Sequence, residues 1–216
     1  MKKIITCIGI RPDIIRLSQI IKKLDKHFNN IIVDSGQHYD YNLNKIFYEQ
    51  LDVRPSDFNL GIKSGTHASQ VAKLMIEFEK VLIKEAPVFV VVLGDNNSSL
   101  GFALATSKLN IPLIHIEAGM RSKNWIMPEE KNRVIIDHLA DMNISYLPEH
   151  RENLIREGIN PRRCWVVGNP IIEVVQAVQP TFHQDNPFYL VTCHRAENLE
   201  IKENLNKILT FLKKLY

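Results

Sequence analysis

Short apolar runs rich in Val and Ile alternate along the chain with longer segments in which apolar residues recur every three to four positions. That alternation is the pattern of βα units built around a parallel sheet. Strands are expected at residues 4–9 (IITCIG), 31–36 (IIVDSG), 88–95 (VFVVVLGD), 111–119 (IPLIHIEAG), 142–146 (MNISY), 164–169 (CWVVGN) and 188–194 (FYLVTCH). Helices fill the intervals. Pro12 opens the first, where a missing N–H costs nothing, and Asp13 suits the positive helix end. Ile14, Ile15, Leu17, Ile20, Ile21 and Leu24 then recur at helical spacing. A long helix is expected from about Ala68 to Ala86, stopped by Pro87. The run VFVVV has no polar alternation, so it is expected as a central strand covered on both faces.

The first domain is expected over residues 1–168, followed by a connecting segment, 169–187, that contains the polar, proline-bearing stretch QAVQPTFHQDNP. Residues 188–216 then offer one strand and one helix. A single βα unit cannot bury its own apolar faces, so the sequence reads as cut short, with most of a second α/β domain outside it. A chain of 216 residues with 45% hydrophobic and 24% charged residues is not disordered. It has no apolar run of the roughly 18 residues that a membrane helix needs, and its N-terminus turns polar too soon for a signal peptide. A cytoplasmic location is expected. Cys7, Cys164 and Cys193 are odd in number and widely spaced in apolar stretches, which suits core filling better than disulfides or structural zinc. The net charge of +3 is scattered, too weak to argue for nucleic acid but compatible with an anionic small molecule.

Ligands of an open parallel sheet bind beyond the carboxyl ends of its strands. Here those ends are polar: Gly9-Ile10-Arg11-Pro12-Asp13, Asp34-Ser35-Gly36-Gln37-His38, Gly94-Asp95-Asn96-Asn97-Ser98, His115-Ile116-Glu117-Ala118-Gly119 and Thr192-Cys193-His194-Arg195. Taken singly, Asp95 and Asn96 are ordinary helix caps and Arg11 an ordinary ion-pair partner. Five ends with one habit favour a site. Neither G-x-G-x-x-G after the first strand nor G-x-x-x-x-G-K-[ST] occurs, which removes the dinucleotide fingerprint and the P-loop. His115 and Glu117, two apart on a strand, would point to one side and could offer two metal ligands, but no third stands at a recognisable spacing. No metal is expected, and His115 should hydrogen-bond within the sheet.

The segment MPEEKNRVIIDHLADM (127–142) starts a helix at Pro128 with Glu129 and Glu130 in its first turn. Arg133 and Asp137 lie one turn apart on one face, and Val134, Ile135 and Leu139 form its expected apolar stripe. One acidic residue suffices for capping, which leaves Glu129 spare. With Asp95 and Glu117 it makes three carboxylates at one end of one sheet, suited to acid and base work. Their repulsion should raise at least one pKa, and cations are needed nearby.

These motifs, with Pro128-Glu129-Glu130, Asn132-Arg133, Gly168-Asn169-Pro170, and His194-Arg195 with Glu197-Asn198, resemble in content and order the non-hydrolysing UDP-N-acetylglucosamine 2-epimerases of bacteria and archaea, from Met1 to about Asn198. The resemblance implies a Rossmann-like parallel sheet, the first domain of a two-domain B-type glycosyltransferase-like fold whose second domain holds UDP. It implies that Asp95, Glu117 and Glu129 are catalytic, that Arg11 and Arg16 help hold the substrate, and that His194 and Arg195 meet the nucleotide or its departing phosphate. The implied reaction inverts C2 of a UDP-N-acetylhexosamine by loss of UDP to a 2-acetamidoglucal and re-addition. No organic cofactor or metal is required. A cytoplasmic homodimer serving cell-surface polysaccharide synthesis goes with it. The alternatives are a hydrolysing epimerase that releases free N-acetylmannosamine and UDP, and a non-catalytic nucleotide-sugar-binding fragment. Asp13 replaces the family's usual Glu, Arg16 its frequent Lys and Asn96 its Thr, and Ile14–Ser18 is closer to relatives acting on 6-deoxy N-acetyl sugars. The 216 residues alone are expected to bind UDP weakly and not to epimerise.

Overall fold

A computed structural model describes residues 1–36, 45–63, 65–178, 188–193 and 201–215. It divides into two compact units, Met1–Val178 and Gln179–Tyr216. The first unit alternates β1 (Lys3–Ile8), α1 (Arg11–His27), β2 (Asn29–Asp34), α2 (Lys45–Gln50), β3 (Phe58–Asn59), α3 (His67–Glu85), β4 (Val90–Leu93), α4 (Asn97–Lys108), β5 (Leu113–Ile116), α5 (Pro128–Leu139), β6 (Met142–Ser145), α6 (Pro148–Arg156), β7 (Cys164–Val166) and α7 (Ile171–Ala177). The strands form one sheet in the order β3-β2-β1-β4-β5-β6-β7, and every pairing is parallel.

Covering helices on both faces explain the unbroken apolar strands. Along β4, Val90 and Val92 join the core under α3, α4 and α5, whereas Val91 and Leu93 join the core under α1 and α2. Ile31 and Val33 of β2 likewise face the first core and Ile32 the second. This is the two-residue period of a strand, with both faces made apolar. Phe78 of α3 meets Phe102 of α4 edge to face at 4.7 Å, a geometry worth roughly 0.5–1.5 kcal/mol beyond area burial. Helix α3 is capped by Thr66, whose side chain accepts from the Ser69 N–H at 3.3 Å, and ends at Ala86 in a left-handed conformation just before Pro87.

Several expectations are corrected. The two-residue strand β3 was not expected, because so short a piece leaves no periodic signal. In α5 the buried apolar residue is Ile136, and Ile135 is exposed, since the helix turns Asn132, Ile136 and Asp137 inward. Helix α7 packs on α1, so the first unit continues past Gly168 to Val178. Cys7 and Cys164 are buried, as core filling requires, but Cys193 is only half-buried.

The second unit is described by residues 188–193 and by α8 (Lys202–Leu215). Residues 188–193 form no strand, and Phe188, Tyr189 and Leu190 are exposed. Apolar, β-branched composition needs a neighbouring ladder to become a strand, and the described residues of this unit supply none. His194 and Arg195, like Gln37 and His38, lie outside the described residues.

Candidate active site

The strand order reverses between β1 and β4, which makes their carboxyl ends the topological switch point. At the end of β1, Asp13 turns back from the first turn of α1, and its Oδ2 accepts from the N–H groups of Gly9 and Ile10, each at 3.0 Å. The same oxygen accepts from Asn96 Nδ2 at 3.3 Å, which ties β1 to the loop after β4. Gly9 makes this closure possible: a Cβ there would fall 2.6 Å from Asn96 Oδ1 and 3.1 Å from Asp13 Oδ2. Asn96 also caps α4 by accepting from the Ser99 N–H at 3.0 Å.

Asp13 is 1% exposed, and no donor among the described residues reaches its Oδ1. Burial pushes its carboxyl up to about 6, against the pull of the Ile10 and Gly9 amides, Arg16 and Asn96. The folded protein therefore holds a proton that the unfolded chain has already released. This contribution to stability is fully present below about pH 4 and is lost as pH rises through 6. Asp13→Asn removes it. The stability of the wild type minus that of the variant, from urea unfolding, should fall by about 2 kcal/mol between pH 4 and pH 7. A difference that stays flat would show that Asp13 is ionised throughout.

Asp95 follows β4, Glu117 follows β5, and Glu129 lies in the first turn of α5. Arg133 ion-pairs with Asp95 and reaches Glu130 Oε2 at 3.3 Å, while Asn132 Nδ2 donates to the Asp95 carbonyl at 2.9 Å. Burial pushes the Asp95 carboxyl above its ordinary value; Arg133 opposes this, and the charges of Glu117 and Glu129 reinforce it. The three carboxylates thus share one electrostatic neighbourhood. The expected rise is present, although desolvation and not repulsion is its largest cause. Glu130 is the structural acid of the pair. It is buried and accepts from the Ser122 N–H, the Ser122 hydroxyl and the Lys123 N–H at 2.9–3.0 Å, bonds that hold it ionised and lower its pKa against the cost of burial. No such bond engages Glu129 among the described residues.

Glu117 sits at φ 75°, a left-handed conformation uncommon for a residue with a Cβ. Strand alternation ends there, so His115 and Glu117 do not share a side as the sequence suggested. His115 is fully buried, with Nδ1 2.7 Å from Asp137 Oδ1 and Nε2 2.9 Å from the Gly94 carbonyl. Both neighbours are oxygen atoms that accept hydrogen bonds. Asp137 also accepts from the Gly119 N–H at 3.2 Å and pairs with Arg121 at 2.8 Å. Among the described residues no group of three or more His, Cys, Asp or Glu could hold a metal ion.

Arg16 ion-pairs with Glu117, to which the Tyr146 hydroxyl also donates at 3.2 Å. Burial works against the Arg16 charge, but Glu117 and Asp13 outweigh it and raise its pKa. Arg11 is exposed at the start of α1, its guanidinium 5.6 Å from the centre of the Phe47 ring. Arg133, Asn132 and Tyr146 were not among the expected site residues. Arg133 was read against Asp137, one turn away, yet it turns to Asp95. Tyr146 follows β6 at the same sheet edge as the others, so the strand-end rule applied to MNISY would have found it.

Fold and site define a Rossmann-like α/β protein with an acid cluster, neutralised by arginines, over its switch point. The chain belongs to the UDP-N-acetylglucosamine 2-epimerase family, whose profile matches residues 22–216. It is 43% identical over 95% of its length to a UDP-N-acetylglucosamine 2-epimerase of Methanocaldococcus jannaschii, covering 60% of that protein. It is 38% identical over 99% of its length to a UDP-2,3-diacetamido-2,3-dideoxy-D-glucuronate 2-epimerase of Pseudomonas aeruginosa, covering 63% of it. The crystal structure of the M. jannaschii UDP-GlcNAc 2-epimerase in complex with UDP-GlcNAc and UDP superposes with a TM-score of 0.91 at 41% identity, over 98% of this chain and 62% of that one. A lipopolysaccharide outer core galactosyltransferase, 14% identical with a TM-score of 0.55, shares the fold alone. The chain thus spans about three fifths of the epimerases it matches. No helix among its described residues is long and apolar enough to cross a membrane.

Proposed function

We propose that this chain carries the acid–base half of an enzyme that inverts C2 of a UDP-N-acetylhexosamine, without hydrolysis of the nucleotide sugar. The observation that carries the reading is the meeting of Asp95, Glu117 and Glu129 at one edge of the sheet, each on a different element, with Arg16 and Arg133 among them. The C2 proton is weakly acidic, so its removal needs a base on one face of the sugar, and inversion needs an acid on the other. Loss of UDP from C1 gives a 2-acetamidoglucal, and its re-protonation with return of UDP gives the epimer. The burial that raises the Asp95 carboxyl brings it closer to neutral pH, where proton exchange is most effective. Arg16 is engaged by Glu117, so its first role is to hold that carboxylate, while exposed Arg11 is free of any carboxylate partner among the described residues and suits the anionic substrate. His194 and Arg195 are assigned to the departing diphosphate on the resemblance alone.

Residues 188–216 are read as the beginning of the UDP-holding domain, and the whole protein as a cytoplasmic homodimer in polysaccharide precursor synthesis. The test of the reaction is proton NMR of UDP-N-acetylglucosamine in deuterated water, with a polypeptide that carries this sequence at the full length of its relatives. Deuterium should enter C2 as the epimer forms. Absence of exchange overturns the reading, and accumulation of free N-acetylmannosamine with UDP replaces it by the hydrolysing one.

A further inference from the structure

Three successive residues of one strand end fix the position of Glu117. The Ile144 carbonyl accepts from the N–H groups of both Glu117 and Ala118, each at 3.1 Å, the Ser145 hydroxyl donates to the Ala118 carbonyl at 3.0 Å, and the Tyr146 hydroxyl reaches the Glu117 side chain at 3.2 Å. The first two contacts hold a backbone at φ 75° that would otherwise cost of order 1–3 kcal/mol. The third acts on the functional group itself. Tyr146 is 5% exposed, and its ring is packed in the core with Ile14, Leu17 and Ile116, so the hydroxyl is delivered on a rigid arm. It donates to Glu117 Oε2, the same oxygen that Arg16 engages, and no donor among the described residues reaches Oε1.

We propose that Tyr146 is a positioning residue for the Glu117 carboxylate: its hydroxyl and the Arg16 guanidinium dedicate Oε2 to the protein and leave Oε1 as the oxygen that exchanges a proton with the sugar. This rests on the epimerase reading. A neutral phenol fixes the carboxylate plane without adding a second cation beside the departing UDP. The groups facing Glu117 are Arg16 from α1, Tyr146 after β6 and Asp95 after β4, with Asp13 behind Arg16 and Glu129 of α5 beyond Asp95.

The test is Tyr146→Phe in the full-length polypeptide, which keeps the ring and removes only the donor. We expect kcat to fall about tenfold with KM within about twofold, as for one hydrogen bond to a charged group that matters in the reaction step. The acidic limb of the kcat profile should also move, since a donor to the carboxylate that exchanges the proton is lost. A purely structural role would not move that limb. In a Glu117→Gln background the same change should cause no further loss. Unchanged kcat and pH profile in Tyr146→Phe, or an undiminished effect in the Glu117→Gln background, overturns the proposal while leaving the epimerase reading standing. If Glu117→Gln itself keeps full turnover, the role given to Glu117 falls, and the proposal with it.

Discussion

Glu117→Gln, in a polypeptide carrying this sequence at the full length of its relatives, should lower kcat by at least about a hundredfold while UDP binding stays within about threefold. The amide is nearly isosteric, keeps an oxygen for Arg16 and Tyr146 and takes the same backbone at φ 75°, so what disappears is proton exchange. Loss of one acid or base typically costs 10² to 10⁴ in rate, and the carboxylates of Asp95 and Glu129 stand on other elements and cannot take its place. Steady-state kinetics with isothermal titration of UDP decide it. Unchanged kcat would remove Glu117 from the reaction, and a parallel loss of UDP affinity would make it a binding residue.

Asp137→Ala should destabilise the fold by about 3–5 kcal/mol, the usual consequence of removing one partner from a buried ion pair. Asp137 is fully buried and is the common acceptor for His115, Arg121 and the Gly119 N–H. Alanine would take this acceptor from all three, and the Arg121 side chain is only 5% exposed, so water cannot replace the carboxylate easily. Glu157 would remain on Arg121 at 2.5–2.8 Å and limits the damage on that side. Urea unfolding of the 216-residue chain measures the effect. A loss below about 1 kcal/mol would mean that the network relaxes instead of holding the ends of β4 and β5 in place.

Where periodicity was strong, the fold was legible. The all-apolar run at β4 marked the centre of the sheet, and Pro12 and Pro87 marked helix ends that the structure places within a residue or two. Phe58–Asn59 was not legible, because two residues carry no period, and residues 188–193 were misread, because a strand depends on neighbours that composition does not display. The candidate site divides in the same way. Polar strand endings led to Asp95 and Glu117, and spare acidity at a helix start led to Glu129. Their partners were hidden because pairing is tertiary: Arg133 has Asp137 one turn away in sequence but reaches Asp95 in space, and Asp137 instead serves a histidine on β5. The left-handed backbone at Glu117 was also hidden, since no glycine advertised it.

That backbone has a consequence for how such a protein can change. The Glu117 peptide and carboxylate are both held by the residues at the end of a neighbouring strand. Ile144, Ser145 and Tyr146 therefore act as a jig, in which backbone acceptor, hydroxyl and phenol each hold a different atom of the tool. Variation at the two side chains of the jig that bear hydroxyls can move the Glu117 carboxylate without altering that residue itself. In a lineage, heritable adjustments to the placement of Glu117 after β5 would then accumulate on the residues at the end of β6.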